Sequence, residues 1–228
     1  MKPKWPRRLV IVRHGQSEQN VVLDLMDDHL GEALEQQKKI RDADIRLTDT
    51  GILQAKETGK YLAKTEKFDL CFASPYTRTL QTAENIIGEF GYELEIFKEN
   101  RLREKEFGRL HGFNKSEVKK LYPEEFEDRE RDGKYWYRLP RGENYPDVET
   151  RVHNFLDKLV RDCGGKSVLI VTHQVPYKMF RALFKHLDEE KVIALKDTPN
   201  CGMQEYEIDF SEKVDGRMKL VVYDRVAY

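Results

Sequence analysis

The sequence predicts an α/β fold, and three observations carry that prediction. Apolar, strand-like runs recur at Leu9 to Val12, Phe68 to Ala73 and Ser167 to Thr172, each short enough for a buried strand. Segments with apolar residues at helical spacing lie between them, the alternation of a sheet with crossover helices. Each run ends on a polar turn, at Arg13-His14-Gly15, Ser74-Pro75 and His173-Gln174, the edge where open α/β sheets bind ligands. With 228 residues the chain can bury a full core as one domain, residues 1–228, with excursions at about 21–46 and 113–142.

The first strand is apolar on both faces and runs into Arg13-His14-Gly15, with Gly15 supplying a tight bend. Ser17 is the N-cap of a helix that continues into Leu23-Asp24-Leu25-Met26. The polar stretch from Asp27 to Arg46 has room for a second helix. Another helix starts at Asp49, with Ile52, Ala55, Gly59 and Leu62 as its apolar face, and leads to the strand Phe68 to Ala73. The next spans Tyr76 to Glu89, Gly91 stops it, and a strand follows from Glu93 to Phe97. Between Gly112 and Gly142 the rhythm breaks into charged and aromatic sequence, including Tyr135-Trp136-Tyr137-Arg138, and reads as a cap. Val148, Val152, Phe155, Leu156 and Leu159 mark a helix over Tyr145 to Asp162. The strand Ser167 to Thr172 and a helix from Val175 to Leu187 follow. Gln204 to Phe210 and Lys219 to Asp224 form a hairpin across Val214-Asp215-Gly216.

Lys and Arg number 40 against 41 Asp and Glu, so a net charge of −1 gives no global attraction to nucleic acid or an anionic membrane. Anion selectivity must be local. No apolar run approaches the ~20 residues of a membrane span. The basic start, Met1 to Arg8, lacks the small-residue cleavage site of a signal peptide, and Cys71, Cys163 and Cys201 are spaced as reduced thiols, so a cytoplasmic location is expected. Gly164-Gly165-Lys166-Ser167 echoes a phosphate-binding loop, but Val160 stands where a glycine is required and the segment leads into a strand. No His-x-x-x-His or Cys-x-x-Cys spacing supports a metal. His29, His111, His153 and His186 are scattered and read as surface or structural residues.

The strand ends share a chemistry. Arg13 and His14 stand beside a helix start whose free N–H groups and dipole favour an anion. Arg78 falls in the first turn of a helix, where a cation opposes the dipole; it either meets an anionic partner or is a solvated or salt-bridged side chain. His173 ends the most strand-like run, as a ligand or as a hydrogen-bonded interior histidine. Jointly they would bind a phosphoryl group. Glu104 and Glu106 lie in a segment leading to the cap, and a carboxylate beside a bound phosphate has its pKa raised toward general-acid range. A charge-laced loop is the alternative there.

Taken together, Arg13-His14-Gly15 with Asn20, Leu47-Thr48 with Gly51 and Ala55, Ser74-Pro75 with Arg78 and Thr82-Ala83, Glu104 with Gly108 and Gly112, and Thr172-His173 resemble the histidine phosphatase superfamily, in its phosphoglycerate mutase-like branch. The resemblance runs from Leu9 to about Leu183. It implies a three-layer α/β/α sandwich with a mostly parallel central sheet and an inserted cap segment. It further implies that His14 attacks a phosphomonoester to form a phosphohistidine, while Arg13, Asn20, Arg78 and His173 hold the phosphoryl oxygens. Glu104, preferred to Glu106 for its spacing to Gly108 and Gly112, would protonate the leaving alkoxide and then activate water. No cofactor and no metal are implied, because arginines neutralise the phosphate. The family usually has glycine where this chain has Gln174, whose side chain would narrow the pocket, contact substrate or point into the following helix.

The inserted segments decide where the phosphoryl group goes next. Gly112-Phe113-Asn114-Lys115 is mutase-like, with Lys115 suited to a substrate carboxylate. The arginine pair expected in glycolytic mutases is present only as Arg129 and Arg131, and the excursion from Val21 to Arg46 departs from those enzymes. The expected function is therefore a metal-independent phosphatase acting on a small phosphorylated metabolite. Mutase-type transfer and a phospholigand-binding protein with little turnover are the alternatives.

Overall fold

The computed structural model describes residues 3–24, 39–209 and 217–228. Its strands are β1 (Arg8–Arg13), β2 (Leu70–Ala73), β3 (Ile96–Lys98), β4 (Ser167–Thr172), β5 (Met203–Asp209) and β6 (Arg217–Arg225). They form one sheet of order β3-β2-β4-β1-β5-β6. Pairing is parallel from β3 through β1, and antiparallel from β1 to β5 and from β5 to β6. The sheet is thus mixed, its antiparallel side supplied by the terminal hairpin.

The helices are α1 (Glu18–Asp24), α2 (Asp49–Leu62), α3 (Thr77–Ile87), α4 (Lys115–Leu121), α5 (Pro123–Trp136), α6 (Tyr145–Asp162), α7 (Gln174–Lys185) and α8 (Glu189–Ala194). Strands β1 and β4 are central because they are apolar on both faces. Val10, Val12, Leu169 and Val171 meet Ala55, Leu62, Ala83 and Ile86 of α2 and α3. Leu9, Ile11, Val168 and Ile170 meet Val152, Phe155, Tyr177 and Phe180 of α6 and α7. Helices on both faces of one sheet make the expected three-layer sandwich. Among the described residues no helix is long and apolar enough to cross a membrane.

Element limits differ from expectation where pairing or capping decides them. The Phe68 N–H is taken by the Tyr92 hydroxyl (3.0 Å), and β2 starts only at Leu70. Strand β3 is an edge of three residues, paired only with Cys71 to Ala73. The buried face of α2 is Gly51, Ala55, Thr58, Gly59 and Leu62, with Ile52 half-buried beside it. Helix α7 stops at Lys185 because His186 turns left-handed (φ 51°) and the Leu187 N–H closes onto the Ala182 carbonyl. The turn expected at Val214-Asp215-Gly216, the helix end at Leu25-Met26, and His29 with most of the stretch after Asp27 lie outside the described residues. The cap sequence folds as α4 and α5 around a small cluster of its own, Leu110, Tyr137 and Leu139, with Val118 and Tyr122 against it.

Candidate active site

Strands β2, β4 and β1 are neighbours and parallel, so the residues that follow them converge at one edge of the sheet. His14 follows β1 and His173 follows β4, and their ring centroids are 5.2 Å apart. The Tyr76 ring meets His173 edge-on at 5.0 Å. Both histidines are buried, His14 at 4% exposure and His173 at 0%.

His14 Nδ1 lies 2.7 Å from the Gly15 carbonyl oxygen. A carbonyl can only accept, so the ring proton belongs on Nδ1 and Nε2 carries the lone pair. Burial first, then the charges of Arg78 and Arg13, hold its pKa well below the ordinary histidine range. The Gly15 N–H donates to Thr82 Oγ1 (3.0 Å), whose hydroxyl donates to the Arg78 carbonyl (2.7 Å), tying the turn to α3. Gly15 has no left-handed backbone, contrary to the bend expected of it. It is required for close approach: a Cβ there would lie 2.5 Å from the Gly51 carbonyl oxygen, and one on Gly51 would lie 2.1 Å from that of Gln16.

His173 Nε2 is 2.8 Å from Ser74 Oγ, while its Nδ1 is buried with no partner among the described residues. Burial, then Arg78 and His14, push its pKa well down. Arg78 is itself buried, at 3% exposure, and donates from Nη1 to the Asp42 carbonyl (2.6 Å) and pairs with Asp42 Oδ1 (2.9 Å). The salt-bridged reading and the place beside the histidines therefore hold together. Arg13 donates to the Thr198 carbonyl. Asn20 and Ser17 cap α1 reciprocally: Asn20 Oδ1 accepts from the Ser17 N–H and hydroxyl (3.0 Å each), and the Asn20 N–H donates to Ser17 Oγ (3.3 Å). Asn200 Nδ2 donates to the same Oδ1 and to the His14 carbonyl (3.1 Å each), so the amide end of Asn20 left to donate is Nδ2.

Glu104 sits on the N-terminus of α7. Its carboxylate accepts from the backbone N–H groups of Gln174 (3.1 Å), Val175 (3.2 Å) and Lys105 (2.8 Å). Burial raises its pKa above the usual carboxylate value, against the opposing pull of those N–H groups and of Arg78. A cavity of about 290 Å³ opens beside it, lined by Lys105, Lys115, Arg129, Lys134 and Gln174 among others. Lys115 is thus placed with Glu104 and not in the histidine cluster, and it pairs with Glu130 at 3.4 Å with its side chain 68% exposed. Gln174 Nε2 donates to Asp197 Oδ1 (3.1 Å), and its Oε1 is buried without a partner among the described residues. Arg131 is exposed and tied to Asp128 and Asp132. A second cavity, about 1000 Å³, is lined by Asp42, Tyr76, Arg103, Arg109 and the half-buried His111; Phe113 borders both cavities.

Sequence reasoning missed Asp42, Lys105, Thr198 and Asn200. Lys105 adjoins the Glu104 motif and was within reach of it. Nothing in the spacing of the polar stretch separates Asp42 from Asp44, and the loop before β5 carries no strand-end signal. Among the described residues no three or more His, Cys, Asp or Glu side chains gather as a metal site.

Comparison with known proteins extends these observations. The model of the histidine phosphatase superfamily (branch 1) matches residues 9–214. The chain is 35% identical over 170 residues to phosphoglycerate mutase-like protein AT74 of Arabidopsis thaliana, a match covering 69% of this chain and 48% of that one. It therefore spans about half the length of that relative. It is 32% identical over 233 residues to the 2,3-bisphosphoglycerate-dependent phosphoglycerate mutase of Borrelia garinii subsp. bavariensis, covering 89% and 87% of the two chains. A solved structure of a putative alpha-ribazole-5'-P phosphatase from Escherichia coli aligns with a TM-score of 0.77 at 20% identity over 96% of this chain and 97% of that one, a likeness of fold. A match that begins inside the central strand and runs past the fifth takes in both helical layers, and the chain belongs to the histidine phosphatase superfamily, branch 1.

Proposed function

We propose that the protein is a metal-independent phosphatase that hydrolyses a small phosphomonoester through a phosphohistidine on His14. The observation that carries this reading is that two buried histidines, His14 and His173, lie 5.2 Å apart ring to ring at the sheet edge, that the Tyr76 ring touching His173 also carries the buried Arg78 guanidinium, and that His14 presents an unprotonated Nε2. Nε2 attacks phosphorus in line, the ester P–O bond breaks, and Glu104 gives its proton to the departing alkoxide. Water then attacks the phosphohistidine, Glu104 takes up the water proton, and inorganic phosphate leaves with Nε2 restored. Arg13, Arg78, Asn20 Nδ2 and the His173 ring hold the phosphoryl oxygens as charge develops on them.

The substrate carries an anionic group besides its phosphate. Lys105, Lys115, Arg129 and Lys134 face one cavity beside Glu104, where the leaving group must lie. Gln174, braced by Asp197, narrows that cavity and offers its Oε1 to a substrate hydroxyl. The same cationic wall supports mutase-type transfer as the second reading, and a relative of that activity is 32% identical. Arg131, turned to Asp128 and Asp132, favours hydrolysis.

Protein quenched after exposure to a labelled phosphomonoester should contain acid-labile, alkali-stable phosphohistidine and should release phosphate. Absence of both would sink the enzyme reading and leave a phospholigand-binding protein. Isomer formation accelerated by a bisphosphorylated primer would mark the mutase.

A further inference from the structure

We propose that Asp42 is a positioning residue for Arg78, holding the guanidinium by one nitrogen so that its opposite edge meets two phosphoryl oxygens. The proposal rests on the reading that phosphate binds beside Arg78. Arg78 stands in the first turn of α3, where the helix dipole disfavours a cation, and it is almost wholly removed from water. Such a charge needs a partner, and the partner comes from the far end of the first excursion. The Asp42 side chain is 13% exposed; its backbone carbonyl accepts a hydrogen bond from Arg78 Nη1 (2.6 Å), and its Oδ1 lies 2.9 Å from the same nitrogen as an ion pair, outside hydrogen-bond geometry. The Tyr76 ring lies 5.1 Å from the guanidinium carbon and limits its rotation. Nε–H and Nη2–H have no partner among the described residues, and these two donors form the fork that matches two oxygens of a phosphate.

The turn that carries Asp42 is built to stay in place. Ile45 is fully buried and Leu47 nearly so. The Leu47 N–H donates to Gln81 Oε1 on α3 (2.9 Å), and the Glu18 N–H donates to the Arg46 carbonyl (3.0 Å). Arg41 pairs with Asp44 (3.1 Å) across the turn itself. The excursion thus returns to the sheet edge locked to both α1 and α3, with Asp42 between Arg78 and the larger cavity. A carboxylate that merely competed with phosphate would take the guanidinium fork. Asp42 takes the single nitrogen and leaves the fork open.

The test uses the full chain with inorganic phosphate binding by calorimetry, which needs no turnover, beside steady-state hydrolysis of nitrophenyl phosphate. Asp42→Ala removes the ion pair and leaves the backbone carbonyl in place; it should weaken phosphate binding about tenfold and lower kcat. In an Arg78→Ala background the same change should have no further effect. Asp42→Asn keeps an acceptor for Nη1 and should stay within about threefold of wild type. Tighter phosphate binding in Asp42→Asn, or weakening beyond about threefold, would overturn the proposal even if Asp42→Ala failed to fold. Additive losses with Arg78→Ala would overturn it too. If wild type hydrolyses nothing while the Asp42 variants bind phosphate as stated, the phosphatase reading falls and the positioning role stands; normal wild-type turnover with unchanged phosphate binding in Asp42→Ala gives the converse.

Discussion

His14 is kept neutral by its surroundings: burial and two arginines depress its pKa, and the Gly15 carbonyl fixes its tautomer. His14→Ala should lower turnover by on the order of 10⁵ or more with the fold retained, since the residue lies at the sheet edge; circular dichroism and phosphate release measure both. Because the His14 pKa is lowered, its acid limb in the pH–rate profile should fall below the ordinary histidine range. Glu104 must be protonated to act as an acid, and burial raises its pKa, so kcat on alkyl phosphates should decline as pH rises through that raised value. Glu104→Gln should cost about 10²–10⁴ on alkyl phosphates but under about tenfold on nitrophenyl phosphate, whose leaving group hardly needs a proton. Equal losses on the two would refute proton donation. At this scale the sequence was readable for His14, His173 and Arg78, since each follows a strand. It was silent on Asp42, whose partner is 36 residues away.

Two glycines join the elements that make the phosphate-side turn. Gly15 and Gly51 were legible as motif residues, yet their physical reason was not a bend but backbone-to-backbone contact between the β1 turn and the start of α2. Gly15→Ala should destabilise by about 1–3 kcal/mol in urea unfolding, and it should reduce kcat by shifting the neighbouring imidazole. The cap segment was legible only as an interruption, because its aromatic and charged residues follow neither period strictly. Just ahead of the cap, Lys105 lies against the Phe107 and Tyr145 rings, where burial lowers the lysine pKa to about 8. Lys105 is charged below that value and neutral above it. For substrates with a second anionic group, KM should therefore rise as pH passes about 8, and Lys105→Met should remove that dependence while sparing nitrophenyl phosphate.

Across the whole molecule, Glu99 ties the β2–β3 edge to α6. Its backbone N–H donates to the Ala73 carbonyl (2.8 Å), and its carboxylate accepts from Arg101 (2.7 and 2.8 Å) and Lys158 (3.2 Å). Burial pushes its pKa up, but Arg101 and Lys158 outweigh this and hold it at about 2. A folded pKa below the unfolded value of about 4.3 adds stability that is present above that pH and is lost as pH falls toward 2. Thermal unfolding of Glu99→Gln should accordingly lose less between those limits than wild type does. By itself the sequence determined the α/β class, the chain order of the strand ends and the residues they carry, because strand period, helix period and turn chemistry are local properties. Only the tertiary structure decided that those ends lie side by side, that Glu104 rests on the start of α7, and that Asp42 reaches Arg78. Such contacts join residues far apart in the chain, and it is packing against the common sheet, not any spacing along the backbone, that brings them within reach.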